Sequence, residues 1–315
     1  MKFTNEDLNL ENGLTKEWII TNGLGGFSSS TILGANTRKY HGLLIAPLTP
    51  PARRFLILSK LDEALEIEGK KYDFYTNVTS NYISHGYQYQ TEFRKEYVPI
   101  FTYKIEDVMI TKVICMEYGK NTVTILYIVE NIGYPTTLVL TPVMNFRDFH
   151  TTTFNKTFDL QEQINENKVK VIVDKKSETP VYLYCSEGTY IKHCNDTFKN
   201  MYYVEEENRG LDALENLAVP GRYEINLEPN EQKCITFTCS LEANIEEVDA
   251  KDVINKEIGR ISGLLYESKL LENKNLKGKE ELVRDYIIAS DNFIAYRTSF
   301  ALYTIIAGYP WFLDW

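Results

Sequence analysis

Hydrophobic and polar residues alternate along most of the first 242 positions of the chain. In one typical segment Val123, Ile125, Tyr127 and Val129 fall on the same side of an expected strand. Short turns rich in glycine, proline or asparagine separate about seventeen such segments, and no helical period intervenes between them. This pattern predicts a mainly β fold, with a large antiparallel β-sandwich over residues 1–242.

The hydrophobic period changes to that of a helix near residue 244. Val253, Ile258, Ile261 and Leu265 fall on one helical stripe, and Asn244 is the expected N-cap. A polar stretch ends this segment, so residues 243–279 are predicted to be a helical linker. A second apolar stripe then predicts another helix. That stripe consists of Leu282, Tyr286, Ala289 and Phe293.

The last segment, residues 300–315, is almost wholly apolar. Chain termini are normally polar and exposed, so we expect the chain to stop inside a second domain that begins at residues 280–315. Without the rest of that domain, this segment is expected to be disordered or to self-associate.

Charge and cysteine content narrow the classes of partner. With 34 Lys+Arg against 44 Asp+Glu, the net charge of −10 argues against nucleic acid or an anionic membrane but leaves a neutral ligand open. The five cysteines lack C-x-x-C spacing and the N-terminal segment lacks an apolar signal sequence, which favours a cytoplasmic protein with reduced thiols. The four histidines have no metal-ligand spacing, so no metal or cofactor is expected.

The segment from residue 17 to residue 46 holds the first candidate chemistry. Asn22, Gly23 and Gly26 belong to a glycine-rich turn, which predicts either a tight hairpin or a loop that faces a ligand. On the strand expected to follow, Tyr40 lies on one side, with Arg38 and Gly42. His41 lies on the other side with aliphatic residues, where a buried, hydrogen-bonded histidine is more usual than a ligand contact.

Two further segments combine charged and aromatic residues. Arg147, Asp148 and His150 cluster at a strand end, where an Arg–carboxylate pair beside a histidine could orient a sugar hydroxyl or simply close the edge of the sandwich. Residues 200–223 form the longest irregular connection expected in the sandwich, either a functional loop or a solvated acidic one.

Several segments resemble, in order, the bacterial and archaeal glycogen debranching enzymes of the amylo-α-1,6-glucosidase type. The segments are EWIITNGLGGFSSSTILGANTRKYHGLLIA (17–46), YGKNTVTILY (118–127), FRDFH (146–150), RGLDALENLAVPG (209–221) and IIAGYPWFLDW (305–315). Asn216 and Phe27 depart mildly from the family pattern. The resemblance implies an N-terminal β-sandwich of the kind also attached to bacterial glucoamylases, followed by linker helices and an α/α barrel.

In that family the barrel hydrolyses α-1,6-linked glucose at the branch points of trimmed glycogen, with inversion. The family's last motif continues as Trp-Gly-Arg-Asp, whereas this sequence ends at Trp315. We therefore expect the catalytic acid and base to be absent, no catalytic residue to be assignable, and the chain to be inactive alone. By position, Trp315 would help to form the sugar pocket, with Asp314 beside it, whereas Trp311 is expected to pack in the barrel core.

The expected partner is a branched α-glucan, glycogen or a limit dextrin, bound together with the missing barrel. The candidate substrate-binding residues are Tyr40, His41, Arg147, Asp148, His150, Arg209, Asp212, Asp314 and Trp315. Two alternatives remain open: a self-sufficient epimerase or mutarotase-like enzyme that pairs His85, His150 or His193 with a glutamate, and a carbohydrate-binding module without catalysis.

Overall fold

The computed structural model describes residues 1–4, 6–175 and 178–314. Most of these residues belong to strands. In chain order the strands are β1 (Lys2–Thr4), β2 (Glu17–Thr21), β3 (Phe27–Thr31), β4 (Gly42–Thr49), β5 (Ala52–Ile67), β6 (Lys70–Asp73), β7 (Gln90–Lys95), β8 (Pro99–Ile105), β9 (Val108–Met116), β10 (Thr122–Asn131), β11 (Thr136–Asp148), β12 (Gln161–Asn165), β13 (Lys168–Ile172), β14 (Val181–Cys185), β15 (Thr189–Tyr202), β16 (Leu214–Leu227), β17 (Glu231–Ser240), β18 (Ile294–Arg297) and β19 (Leu302–Ile305). The helices are α1 (Leu10–Gly13), α2 (Val204–Glu207), α3 (Ala250–Ser268) and α4 (Glu280–Asn292).

Two large antiparallel sheets form the body of the protein. One has the strand order β1-β7-β8-β9-β10-β17-β14-β13-β12, and the other has β15-β16-β11-β5-β4-β3-β2 with β6 paired to β5. Long neighbours such as β10 and β17 pair over their whole length, from Thr122↔Ser240 to Asn131↔Glu231. The mainly β, antiparallel sandwich that the alternating pattern predicts is therefore confirmed.

The core lies between the two sheets, where most strands bury the side chains of at least one face. Val123, Ile125, Tyr127 and Val129 of β10 have no exposed surface and belong to one large cluster with residues of both sheets. Alternate positions of an antiparallel strand point to the same face, so the period of two in the sequence marks the face that meets the core; Leu126, on the other face of β10, is buried under α3.

Helix α3 covers the outer face of the first sheet. Ala250 and Val253 pack against Val113 and Leu126 of strands β9 and β10. The N-cap is Asp249, whose carboxylate accepts hydrogen bonds from the two backbone amides that follow it by two and three residues. The N-cap predicted at Asn244 is thus wrong, because the chain uses the segment before Asp249 to bury Ile245.

Helix α4 presents a different face from the predicted one. Leu282 and Tyr286, placed on the buried stripe by the sequence pattern, are 52% and 66% exposed. The buried positions are Val283 and Ile288, and Ile288 packs with Ile261 of α3. Contact with α3 therefore decides which side of α4 is covered.

The segment after α4 forms the β18–β19 hairpin and a turn. Phe300, Tyr303 and Phe312 are exposed, while Ile306 is buried and Tyr309 packs against the sandwich. The apolar end therefore has packing partners for only some of its side chains. Among the described helices, none is both long and apolar enough to cross a membrane.

Candidate functional site

The loop before β4 brings Tyr40 and His41 to the surface of the second sheet. The strand predicted to include residues 38–41 begins only at Gly42, and these residues form a turn in which the His41 amide donates to the Arg38 carbonyl at 3.0 Å. The predicted alternation of faces is therefore wrong here, and both Tyr40 and His41 are buried. His41 is held by the Thr37 amide, which donates to Nδ1 at 3.1 Å, so the histidine is buried and hydrogen-bonded as expected.

Tyr40 is the centre of a group of rings that we call the aromatic cluster: Tyr40, Phe149, His150 and Trp311. Its hydroxyl lies 3.2 Å from Nδ1 of His150, and its ring meets Phe149 and Trp311 edge to face at 5.5 and 6.4 Å. Burial, and then the nearby Glu206 carboxylate, raises the pKa of Tyr40. The Tyr40 hydroxyl therefore stays protonated at neutral pH.

His150 lies at the outer edge of the aromatic cluster. Burial lowers the pKa of His150, and the Asp148 carboxylate only partly opposes this shift. His150 is therefore mainly a neutral imidazole at pH 7, able to accept or donate one hydrogen bond at each ring nitrogen.

Trp311 lies between two arginines. The guanidinium carbons of Arg38 and Arg209 are 5.8 and 5.3 Å from its ring centroid. The Trp311 side chain is 38% exposed in this structure and is held by cation–π contacts at the surface, and its expected packing in a barrel core stays a prediction. An exposed indole between cations gives the site a flat apolar face with a polar rim.

Arg147 has a different partner from the one its sequence neighbours suggest. Its Nε and Nη2 donate to the Glu215 carboxylate at 2.5 and 2.9 Å, and Nη2 also donates to the Lys39 carbonyl. Asp148 instead accepts from the His150 amide at 2.9 Å. The expected Arg147–Asp148 ion pair is therefore wrong, and Arg147 is a buried anchor of the loop that carries Tyr40.

Glu215 was not singled out in the sequence, although it organises the site. Its carboxylate also accepts from the Asn145 amide group at 2.9 Å, the Thr153 amide at 3.2 Å and the Tyr203 hydroxyl. These contacts join β11, the loop after it and the residue that follows β15 to Glu215 of β16. An acidic residue within the apolar start of β16 could have indicated a buried ion pair, but its partners are distant in sequence.

The 200–223 segment is more regular than predicted. It contains the end of β15, helix α2 and the start of β16, so the prediction of a long irregular connection is wrong. Arg209 reaches Trp311, whereas Asp212 is exposed. Glu206 is fully buried, and its oxygens have no hydrogen-bond partner in the described part of the chain; the nearest cation is Arg209 Nη1 at 3.7 Å.

Arg54 ties the C-terminal segment to the sandwich. It is fully buried, and Nη1 donates to the Phe312 carbonyl at 2.9 Å. Its guanidinium carbon lies 4.9 Å from the Tyr309 ring and 5.6 Å from the Phe149 ring. The predicted site residue Asp314 is bound by Arg297 in this segment. Trp315 lies outside the described residues.

The structure thus gathers Tyr40, His41, His150 and Arg209 at one surface, with Arg147 beneath it. Glu206, Glu215 and Arg54, which are buried beneath this surface, are the residues that sequence reasoning missed. Within the residues that the structure describes, no group of three His, Cys, Asp or Glu side chains could hold a metal ion.

Solved structures similar to this chain share low sequence identity with it. A protein described as a kojibiose phosphorylase from the human microbiome matches at 10% identity and TM-score 0.42, over 90% of this chain and 35% of its own. A bacterial glucoamylase complexed with acarbose matches at 12% identity and TM-score 0.44, over 93% of this chain and 40% of its own. The chain therefore spans well under half the length of these two proteins.

No curated protein sequence matches the chain significantly. The family model described as "Glycogen debranching enzyme N terminal" matches residues 16–234, which is most of the sandwich. The chain belongs to the glycogen debranching enzyme N-terminal family.

Proposed function

We propose that this chain is the sandwich and linker portion of a glycogen debranching enzyme that hydrolyses α-1,6-linked glucose. The family match over residues 16–234 carries the proposal. In this proposal, residues 1–242 are the N-terminal domain, 243–279 the helical linker, and 280–315 the first elements of an α/α-barrel catalytic domain. The protein would act in the cytoplasm, which suits the free thiols of its four described cysteines.

The aromatic cluster would form one wall of the glucan cleft. A neutral polysaccharide needs flat apolar faces for its sugar rings and hydrogen-bonding groups for its hydroxyls. Trp311 supplies such a face, and Arg209, His150 and the exposed edge of Asp148 supply polar groups around it. The two arginines beside Trp311 lie next to carboxylates, Arg38 at 2.8 Å from Glu17 and Arg209 at 3.7 Å from Glu206, so their charges are balanced, which suits a neutral ligand.

Hydrolysis would depend on carboxylates outside this chain. Inverting glycosidases place an acid and a base about 6.5–9.5 Å apart with water between them. Glu215 accepts hydrogen bonds from Arg147, Tyr203, Asn145 and Thr153, so its oxygens are already occupied by donors of the chain and none faces a substrate. We therefore propose that the chain binds branched glucan but does not cleave it alone.

Two measurements test this proposal. The chain is first incubated with a phosphorylase limit dextrin, and glucose is assayed. Release of glucose would contradict the proposal that the chain alone does not cleave the glucan. The gene product that carries this sandwich, purified from its natural source, is expected to release glucose from the same dextrin, and its failure would refute the proposed activity.

Binding is measured by affinity electrophoresis of the chain in gels containing glycogen. We expect retardation that is lost in Trp311→Ala and kept in Tyr134→Ala, because Tyr134 is an exposed aromatic residue outside the aromatic cluster. Equal retardation of the two variants would contradict the role of the aromatic cluster.

The epimerase alternative has less support. His150 bonds to the Tyr40 hydroxyl, and His193 contacts Arg222 at 3.3 Å and Asp196 at 3.8 Å. Neither contact is the histidine–glutamate pair that this alternative requires. Catalysed anomerisation of an aldose, followed by polarimetry, would nevertheless establish it.

A further inference from the structure

A cavity of ≈ 330 Å³ lies beside the aromatic cluster. Its walls come from β2, β3, the loop before β4, the end of α4 and the turn at Tyr309. Asn292 at the end of α4 accepts a hydrogen bond from the Thr21 hydroxyl of β2 at 3.1 Å, which holds the helix against the sandwich. Small-molecule pockets in proteins span roughly 300–1,000 Å³, so this volume suits a single small ligand.

One wall of the cavity is polar and nearly neutral in total charge. Glu17 accepts from Arg38 Nε at 2.8 Å, and His41 Nε2 lies 3.5 Å from the other Glu17 oxygen. Burial alone would raise the pKa of Glu17, but His41 and Arg38 outweigh it and the pKa is lowered. The carboxylate is thus ionised and compensated by Arg38, which favours an uncharged ligand.

His41 lines this cavity beside Glu17. Because the Thr37 amide donates to Nδ1, a neutral His41 ring must carry its proton on Nε2. Nε2 is buried and makes no hydrogen bond with any group in the described chain. Its nearest polar neighbour is the Glu17 carboxylate at 3.5 Å, which is longer than a good hydrogen bond, so a ligand hydroxyl that bridges His41 and Glu17 would improve the pairing of both groups.

The opposite wall is aromatic. The rings of Phe27 and Phe293 lie 5.2 and 6.0 Å from the Tyr309 ring. All three line the cavity. A sugar ring has an apolar face and a rim of hydroxyls, so it matches a space with rings on one side and a carboxylate, a guanidinium and an imidazole N–H on the other.

We propose that this cavity binds one neutral hexose unit, with its hydroxyls on Glu17, Arg38 and His41 and its ring against Tyr309. The choice of glucose as the hexose rests on the proposed function, whereas the cavity itself does not. The site is separate from the exposed face of Trp311, so it would hold a single terminal sugar rather than a length of chain.

The experiment is a titration of the 315-residue chain with D-glucose, followed by saturation-transfer NMR and calorimetry. A ligand of this size is expected to bind with a dissociation constant on the order of 1 mM. Ala289 lines the cavity and is exposed on α4, so Ala289→Phe should fill the space without disturbing the core. Ser290→Phe adds the same ring one residue along, outside the cavity.

We expect Ala289→Phe to weaken glucose binding by at least about tenfold and Ser290→Phe to change it by less than about twofold. Glu17→Gln should also weaken binding, while Glu11→Gln, an exposed glutamate on α1, should not. Thermal unfolding checks that each variant is folded. Absence of saturable binding by the folded chain, or equal binding by the two phenylalanine variants, would overturn the proposal.

The outcome is separable from the glycogen test. Retardation in glycogen gels depends on Trp311, which does not line this cavity. Loss of glucose binding in Ala289→Phe with unchanged retardation would support the cavity as a distinct site.

Discussion

Removing the Glu215 carboxylate is expected to destabilise the sandwich severely. The carboxylate is fully buried and accepts two hydrogen bonds from Arg147, whose side chain is also buried. In Glu215→Ala the arginine would keep its charge and lose its counter-ion, and the Tyr203 hydroxyl and Asn145 amide would lose their acceptor. A buried ion pair that loses one partner costs about 3–5 kcal/mol.

The magnitude can be measured by thermal unfolding. In a domain of about 150–250 residues, each 1 kcal/mol lowers Tm by about 2–4 °C, so Glu215→Ala should lower Tm by about 6–20 °C. The matched control is Glu96→Gln, which breaks the 2.5 Å pair between Glu96 and Arg284 at the surface. Exposed pairs contribute about 0–1 kcal/mol, so this control should change Tm little.

A second variant separates charge from shape. Glu215→Gln keeps the side-chain volume but removes the negative charge beside Arg147, and we expect most of the loss to remain. If Glu215→Ala and Glu96→Gln lowered Tm equally, the assignment of Glu215 as the centre of this network would be refuted.

Two further predictions concern pH and backbone conformation. The pKa of His150 is lowered below 6.5 in the folded chain. The folding free energy that depends on a neutral His150 is therefore fully present above pH 6.5 and is lost as pH falls through the folded pKa. Urea titrations should therefore show a steeper loss of stability between about pH 7 and pH 5 in the natural chain than in His150→Gln; parallel curves would contradict this. Gly25 and Gly34 both have positive φ, at +87° and +69°, but a Cβ at Gly25 would lie 2.6 Å from Pro51 whereas one at Gly34 would meet nothing within 4 Å. Gly34→Ala should cost about 1–2 kcal/mol in unfolding free energy and Gly25→Ala distinctly more; equal losses would show that the contact with Pro51 is unimportant.

The sandwich could be predicted because the apolar side chains that face its core repeat every two residues along a strand. Val123, Ile125 and Tyr127 carry that information in the sequence, and they are buried in the structure. The buried face of α4 could not be predicted as well, because it depends on where Ile261 of α3 lies in space. Short amphipathic helices contain several plausible stripes, and only tertiary contact selects one.

The candidate site shows the same division between local and distant information. The burial of His41, predicted from strand alternation, is confirmed, but the residue lies in a turn before β4, so the alternation that suggested the burial is wrong. The ion-pair partner of Arg147 could not be predicted in this way, because Asp148 is adjacent in sequence whereas Glu215 is 68 residues away. Strand pairing between β11 and β16 brings Arg147 and Glu215 together. The register of that pairing cannot be predicted from the sequence of either strand alone.

Arg54 has a consequence for how the chain can be divided. Truncation at residue 242 would remove Tyr309 and the Phe312 carbonyl from Arg54. The Arg54 guanidinium and the aromatic rings beside it would then be exposed to water. It would also uncover Val113 and Leu126, which α3 now shields. The smallest fragment that folds without exposing this apolar surface should therefore extend past the family-matched region. A fragment trimmed to the sandwich alone is expected to aggregate.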